Sequence, residues 1–149
     1  GSLLAGAAFS NAMVGIVHAL GHSLGGLCHI PHGQAMMMLL PHCVRYNLDR
    51  GIHAGLYGEL LEHLAPARAA ALGPDASTAE RDKAFCEHLF ELNDLYHDQY
   101  GVPLALSELG VTREDLPAVA KQARYDGAAL YNETEITLED ALEILEATY

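Results

Sequence analysis

Four histidines lie in the apolar stretch from Gly15 to Gly33, which reads GIVHALGHSLGGLCHIPHG. His18 and His22 are four residues apart, so on a helix both rings project from one face. Two such rings can bind one divalent metal ion, as in zinc sites with two helical histidines. The alternative is a pair of core histidines bonded to backbone or water, because an unpaired buried polar group costs about 1–3 kcal/mol.

His32 directly follows Pro31 and is expected in the first turn of the next helix. The positive end of the helix dipole disfavours an imidazolium there and leaves a ring nitrogen free for a metal. An N-terminal cap is the alternative role for this residue. The histidines alone are not a complete catalytic site, which needs at least three protein ligands, commonly a carboxylate among them, and one open position.

Other pairs with ligand-like spacing are weaker candidates. Cys28 lies four residues before His32, but a thiolate site normally brings a second cysteine nearby. Asp49 and His53 also have helical spacing, but Gly51 lies between them beside a predicted turn, and we reject them as a ligand pair. We assign His42 to packing and His29 to an exposed loop. The histidines expected on solvated faces are His53, His63, His88 and His97.

Charge and composition limit the possible partners. The chain has 149 residues, half of them hydrophobic, and a formal net charge of -12 from 8 Lys+Arg and 20 Asp+Glu. Such a chain repels phosphate backbones, so we expect neither nucleic acid nor an anionic membrane as a partner. The 3 cysteines have no CxxC spacing, which favours a reducing, cytoplasmic compartment without disulfides.

The first third of the chain carries almost no charge. No Asp, Glu, Lys or Arg precedes Arg45, and a run that long raises the question of a membrane span. Ser10, Asn11 and the histidines argue against lipid, where polar groups are costly. We therefore expect this segment to be buried inside a larger protein. No signal peptide is expected at this end, because no basic segment precedes the apolar run.

The pattern predicts one all-α domain over residues 1–149, without strands. A first helix is predicted from Leu3 to about Leu24, ending at the Gly25-Gly26 pair. Pro31 can begin the next helix, and Pro41 should kink or break it near Leu40. An amphipathic helix is predicted over 52–64, interrupted by 65–68, and a loop over 72–77.

Three capping boxes predict helix starts further along the chain. In each, Ser or Thr is followed three residues later by Glu or Asp; they begin at Ser77, Thr112 and Thr137. Behind the first of them, helical spacing predicts a core-facing row at Phe85, Leu89, Leu92 and Tyr96.

The segment AFSNAMVGIVHALGHSLGGLCHIPHGQAMMMLLPHCVRYN closely resembles the signature of the iron-containing (group III) alcohol dehydrogenases. Their pattern places H-A-x-x-H-x-L-G before a loop and then P-H-G. The resemblance continues through GVPL at 101–104 and LSELGV at 106–111 to TLEDALEIL at 137–145, so it covers the whole chain. One departure is Asn132-Glu133, where relatives often have Asn-Pro.

The resemblance implies particular roles for the histidines. His18 and His32 would be metal ligands. His22 would not be a ligand but would lie beside the nicotinamide and substrate as a proton relay. The ligand pair is then His18 with His32, and not His18 with His22. The family completes its site with a D-x-x-x-H helix upstream of residue 1 and binds the nucleotide in a preceding α/β domain. The chain would then be the helical C-terminal domain of a dehydroquinate synthase-like fold, truncated at its N-terminal side.

The implied activity is that of an NAD- or NADP-dependent alcohol dehydrogenase using Fe²⁺ or Zn²⁺. It would interconvert small alcohols with aldehydes or ketones. The active protein would include the missing N-terminal domain and form a homo-oligomer. This fragment alone would be inactive. One alternative is a zinc glycerol dehydrogenase or related carbonyl reductase of the same superfamily. The other is a stand-alone helical binding module without activity.

Overall fold

The computed structural model describes residues 1–149 and is helical, without strands. The all-α prediction is therefore confirmed. The α-helices are α1 (Ser2–Ala12), α2 (Gly15–Cys28), α3 (His32–Asp49), α4 (Leu56–Leu64), α5 (Pro66–Ala71), α6 (Thr78–Tyr100), α7 (Leu116–Ala123) and α8 (Leu138–Thr148). Two short 3-10 helices complete the set, η1 (Leu106–Leu109) and η2 (Gly127–Tyr131).

The predicted first helix is two helices. The backbone leaves the helical region at Met13, with φ 60, and α2 begins at Gly15. Its end is also later than predicted, because α2 runs through Gly25-Gly26 and stops at His29, which adopts the left-handed conformation with φ 59. Glycine weakens a helix but ends it only where it takes the left-handed capping position, and here His29 takes that position.

No single helix is long and apolar enough to cross a membrane. By length and composition α1 and α2 pass that test only together, as a pair bent by 97°.

Helix α3 begins one residue after Pro31, whose carbonyl accepts the Ala35 N–H at 3.1 Å. Of the kink or break predicted near Leu40, the break is wrong, since α3 continues through Pro41 to Asp49. Proline removes one helical hydrogen bond, but Leu39 and Cys43 on either side are buried, and this packing compensates for the lost bond.

The residues form two compact units, Gly1–Leu39 with Ala105–Tyr149, and Leu40–Leu104. In the first unit, α2 packs against α7 and η2, and α7 packs against α8. Its core consists of fully buried aliphatic side chains: Leu20, Leu24, Leu116, Val119, Ile144 and Leu145. The single domain over 1–149 stays a prediction.

In the second unit, α4 packs against α6. The buried carboxylate of Asp82 on α6 accepts the N–H groups of Gly55 and Gly58 at 2.6 and 2.7 Å, and so caps the start of α4. Helix α4 starts at Leu56, not at Ile52 as predicted, because Gly51 and Gly55 take positive φ in the preceding turn.

The predicted row on α6 is only partly buried. Phe85 is buried, Leu89 and Leu92 are half-buried, and Tyr96 is exposed, so the placement of Tyr96 in the core is wrong. At about 1.5 Å per residue, the 23 residues of α6 span about 35 Å, and its last residues, 94–100, are all exposed.

The capping boxes at Ser77 and Thr137 are present in full. The one at Thr112 is only half formed, and the predicted helix start there is wrong. Thr112 donates to the Asp115 carboxylate from its N–H and hydroxyl, but α7 begins at Leu116. Pro117 explains the delay, because it fits the first turn of a helix and would break one that began at Arg113.

Candidate metal and proton-transfer site

The three predicted site histidines, His18, His22 and His32, lie together in the first unit. The ring centroids are 5.6 Å apart for His18–His22, 5.3 Å for His18–His32 and 5.8 Å for His22–His32. The first two project from α2, and His32 comes from the first residue of α3 after the left-handed turn at His29. The four-residue spacing along α2 places His18 and His22 side by side, and the turn at His29 brings His32 next to them.

Gly21 lies where α2 contacts α3. A Cβ atom at this position would lie 1.8 Å from Met36 Cε and 3.7 Å from Ala35 Cβ. The absent side chain leaves the space that the Met36 methyl group occupies. The sequence around Gly21 carries no signal of this contact, because it depends on how the two helices pack.

The donor chemistry of the cluster fits a divalent metal ion. Partial burial lowers the pKa of His18, and the neighbouring His32 and His22 rings act in the same direction, while the Asp126 carboxylate opposes them. A neutral imidazole is the form that binds metal. Two rings bound to one ion at about 2.1 Å have centroids about 5 Å apart, close to the 5.3 Å between His18 and His32.

The chain does not supply a full set of ligands by itself. No group of three or more His, Cys, Asp or Glu side chains is arranged so that it alone could hold a metal ion. Cys28 is a poor additional ligand, since burial raises the pKa of its thiol. The ligand roles of His18 and His32 and the relay role of His22 stay predictions.

Asp126 is a site residue that sequence analysis missed. Its Oδ2 lies 3.1 Å from Nδ1 of His22, and its Oδ1 accepts the Ala128 N–H at 2.8 Å as the N-cap of η2. The sequence contains a local signal, an aspartate before glycine that is typical of a turn or cap. That signal gives no indication of a partner 104 residues away.

Asn132 connects the other end of η2 to α2. Its side-chain oxygen accepts the Ile16 N–H at 3.4 Å, and its amide donates to the Thr134 carbonyl at 3.3 Å. The departure from the family pattern at Asn132-Glu133 therefore leaves Asn132 bonded to the start of α2. Segment 126–132 is joined to α2 at both of its ends.

The remaining histidines are placed much as predicted. His42 packs edge-on against Phe90 with ring centroids 5.0 Å apart, and burial, followed by the Arg45 charge, lowers its pKa to about 4. His29, His53, His63 and His97 are exposed, whereas His88 is half-buried. A turn separates Asp49 from His53, consistent with rejecting that pair.

The fold places the chain among known dehydrogenase structures. It superposes on the crystal structure of a 1,3-propanediol oxidoreductase with a TM-score of 0.84 and 33% sequence identity, covering 99% of this chain and 36% of that one. The all-α fold is thus also that of a part of this oxidoreductase, about a third of its length.

Sequence comparison identifies the family. Residues 1–149 match the C-terminal part of the Fe-containing alcohol dehydrogenase family. Lactaldehyde reductase of Escherichia coli K12 is 37% identical over 144 residues, which are 97% of this chain and 35% of the relative. The 1,3-propanediol dehydrogenase of Klebsiella pneumoniae is 40% identical over 136 residues, or 88% and 31% of the two chains.

The chain belongs to the Fe-containing alcohol dehydrogenase family. It spans about a third of the length of the curated relatives it matches. The expected family is therefore confirmed.

Proposed function

We propose that the protein carrying this chain is a metal-dependent dehydrogenase that interconverts small alcohols with aldehydes or ketones, using NAD or NADP. The observation that carries the proposal is the cluster of His18, His22 and His32 on a fold of this family. The names of the relatives, which include lactaldehyde reductase and 1,3-propanediol dehydrogenase, support a short alcohol or diol as substrate.

His18 and His32 would hold the metal ion, with further ligands supplied from outside residues 1–149. A divalent ion bound there polarises the alcohol or carbonyl oxygen as a Lewis acid. Fe²⁺ is the family's namesake, and two imidazole ligands suit Zn²⁺ equally well. Since a half-complete ligand set binds weakly, residues 1–149 alone should bind divalent metal weakly and show no turnover.

His22 would carry the proton released from the alcohol. Its ring stacks on His32 at 5.8 Å, and its side chain is 45% exposed, so the ring contacts both the cluster and water. Imidazole accepts and donates a proton near neutral pH, which suits this role.

The proposal is tested with the whole protein that carries this chain, purified and loaded with metal. It is assayed with NAD⁺ and NADP⁺ and a series of short alcohols. The expected result is oxidation of at least one alcohol, with kcat lowered about 10²- to 10⁴-fold in His22→Gln. His29→Gln changes an exposed histidine on the neighbouring turn and should leave kcat within about twofold, as surface positions usually do. An inactive wild type, or equal activity in His22→Gln, would refute the proposed function.

A further inference from the structure

The contact between His22 and Asp126 distinguishes the two nitrogens of the His22 ring. Asp126 Oδ2 lies 3.1 Å from Nδ1, whereas the His18 and His32 rings lie beside His22 at 5.6 and 5.8 Å between centroids. An ionised carboxylate only accepts hydrogen bonds. A neutral His22 must therefore carry its hydrogen on Nδ1 to make this bond, and Nε2 keeps its lone pair.

The Asp126 carboxylate is itself held in place. Its second oxygen accepts the Ala128 N–H at 2.8 Å. At the far end of η2, Asn132 accepts the Ile16 N–H of α2 at 3.4 Å, and a Cβ at Gly15 would lie only 3.1 Å from the Asn132 oxygen. Helix α2, which carries His22, therefore packs tightly on the segment that carries the carboxylate.

We propose that Asp126 is a positioning residue that holds His22 in the Nδ1–H tautomer and leaves Nε2 as its proton-accepting nitrogen. In the proton transfer, which rests on the proposed function, the alcohol O–H bond breaks and its proton forms a bond to Nε2. The resulting imidazolium is stabilised by the Asp126 carboxylate beside its Nδ1–H. The proton then leaves Nε2 for water, and the ring returns to the Nδ1–H tautomer.

The competing explanation is that Asp126 serves only as the N-cap of η2. Asparagine caps a helix about as well as aspartate. Asp126→Asn therefore keeps the bond from Ala128 but removes the charge that fixes the His22 ring, so this variant separates the two roles. Asp140→Asn is a matched control, since it makes the same substitution in the capping box of α8.

The first test is ¹⁵N NMR of the protein labelled only in histidine, with the His22 signals assigned from the His22→Gln spectrum. In the wild type, Nδ1 of His22 should show the protonated-type shift and Nε2 the unprotonated-type shift. In Asp126→Asn the Nε2–H tautomer should become populated, while Asp140→Asn should match the wild type. A wild-type His22 protonated on Nε2, or an unchanged tautomer in Asp126→Asn, would overturn the assignment.

The second test is kinetic. Asp126→Asn should lower kcat about 10- to 100-fold with little change in KM, as loss of such a ring-orienting partner typically does. Asp126→Glu, which restores a carboxylate, should recover part of the loss. An unchanged kcat in a variant with a changed tautomer would overturn the proton-transfer role. A wild type that shows the expected tautomer but no dehydrogenase activity would refute the proposed function and leave the tautomer assignment in place.

Discussion

His22 and His42 both lie on largely apolar helices, but their Nδ1 atoms have different surroundings. Nδ1 of His22 faces a carboxylate, whereas Nδ1 of His42 is buried without a hydrogen-bond partner. His42 is stable there only as a neutral ring, because an unpaired buried charge is costly. At the scale of single residues, the proposed proton carrier His22 therefore differs from the packing residue His42 in the partner of its Nδ1 atom.

His42 should make the stability of the fold depend on pH. Its pKa is about 4 in the folded chain, below the ordinary value of 6.5, so between these values the unfolded chain binds more protons. Stability should fall as the pH drops from 6.5 towards 4. The loss from this residue should be about 2 kcal/mol, after allowance for its partial exposure.

The measurement is urea unfolding at pH 7.5 and 4.5. His42→Leu lacks the titrating ring, so relative to wild type it should gain about 1–2 kcal/mol on going to the lower pH. His63→Gln, an exposed histidine on α4, serves as the control, and its difference from wild type should stay constant. A constant difference for His42→Leu as well would show that His42 is not the source.

The packing of α4 against α6 leaves no space for a side chain at one glycine. At Gly58 on α4, a Cβ would lie 2.8 Å from Arg81 Cβ on α6. Gly58→Ala should lower the free energy of unfolding by about 1–2 kcal/mol, because crowding outweighs the gain of about 1 kcal/mol in helix propensity. The readout is the urea midpoint.

Gly6→Ala is the matched control for Gly58→Ala. Gly6 also lies within a helix, but its nearest neighbouring atom is 4.0 Å from the position of a Cβ. It should cause no loss of stability. Equal effects of the two substitutions would contradict the packing argument.

Gly21 should control the geometry of the histidine cluster. A valine there displaces the flexible end of Met36, and its two added methyl groups crowd Ala35, whose Cβ lies 3.7 Å from the position of a Cβ at Gly21. Gly21→Val should therefore weaken divalent metal binding about threefold to tenfold. Adding Met36→Ala to Gly21→Val makes room and should restore part of the affinity. Metal titration of the three proteins tests this, and unchanged affinity in Gly21→Val would show that the close approach is not needed.

Local signals predicted the helix starts at Thr78 and Leu138 but not those at Leu56 and Leu116. The boxes at Ser77 and Thr137 need only residues within one turn, so the sequence contains all the information. The break at Met13 and the continuous helix through Pro41 depend on packing around those positions. Gly21, Asp82 and Asp126 went unnoticed, because each acts on a residue of another segment.

The candidate site was predicted from two kinds of information, residue spacing and the family resemblance. Spacing alone left a His18–His22 metal pair open, and only the family resemblance assigned the ligand roles to His18 and His32. The structure brings all three rings together, with similar distances between them. Distinguishing a ligand from a proton carrier depends on the partner of each ring nitrogen, and that partner lies far away in the sequence for His22.

At the scale of the whole molecule, the uncharged N-terminal segment forms an exposed apolar surface. Helix α1 has no buried residue, and Leu3, Leu4 and Phe9 are exposed by 86%, 75% and 55%. A chain limited to residues 1–149 should therefore self-associate through α1, because exposed apolar patches favour association.

Light scattering tests this expectation with a variant carrying Leu3→Ser, Leu4→Ser and Phe9→Ser. The variant should remain monomeric with an unchanged unfolding midpoint, since none of these side chains packs in a core. Leu130→Ser, at a leucine that is 81% exposed on η2, is the control and should leave association unchanged. Undiminished association in the triple variant would show that another surface is responsible.

The central claim is that His18 and His32 hold a metal ion and that His22 carries a proton beside it. The most direct measurement is the metal content of the purified protein and of its His18→Gln, His32→Gln and His22→Gln variants. The first two variants should lose bound metal and activity together, whereas His22→Gln should keep its metal and lose activity. Full metal content in His18→Gln and His32→Gln, or loss of metal in His22→Gln, would contradict the account.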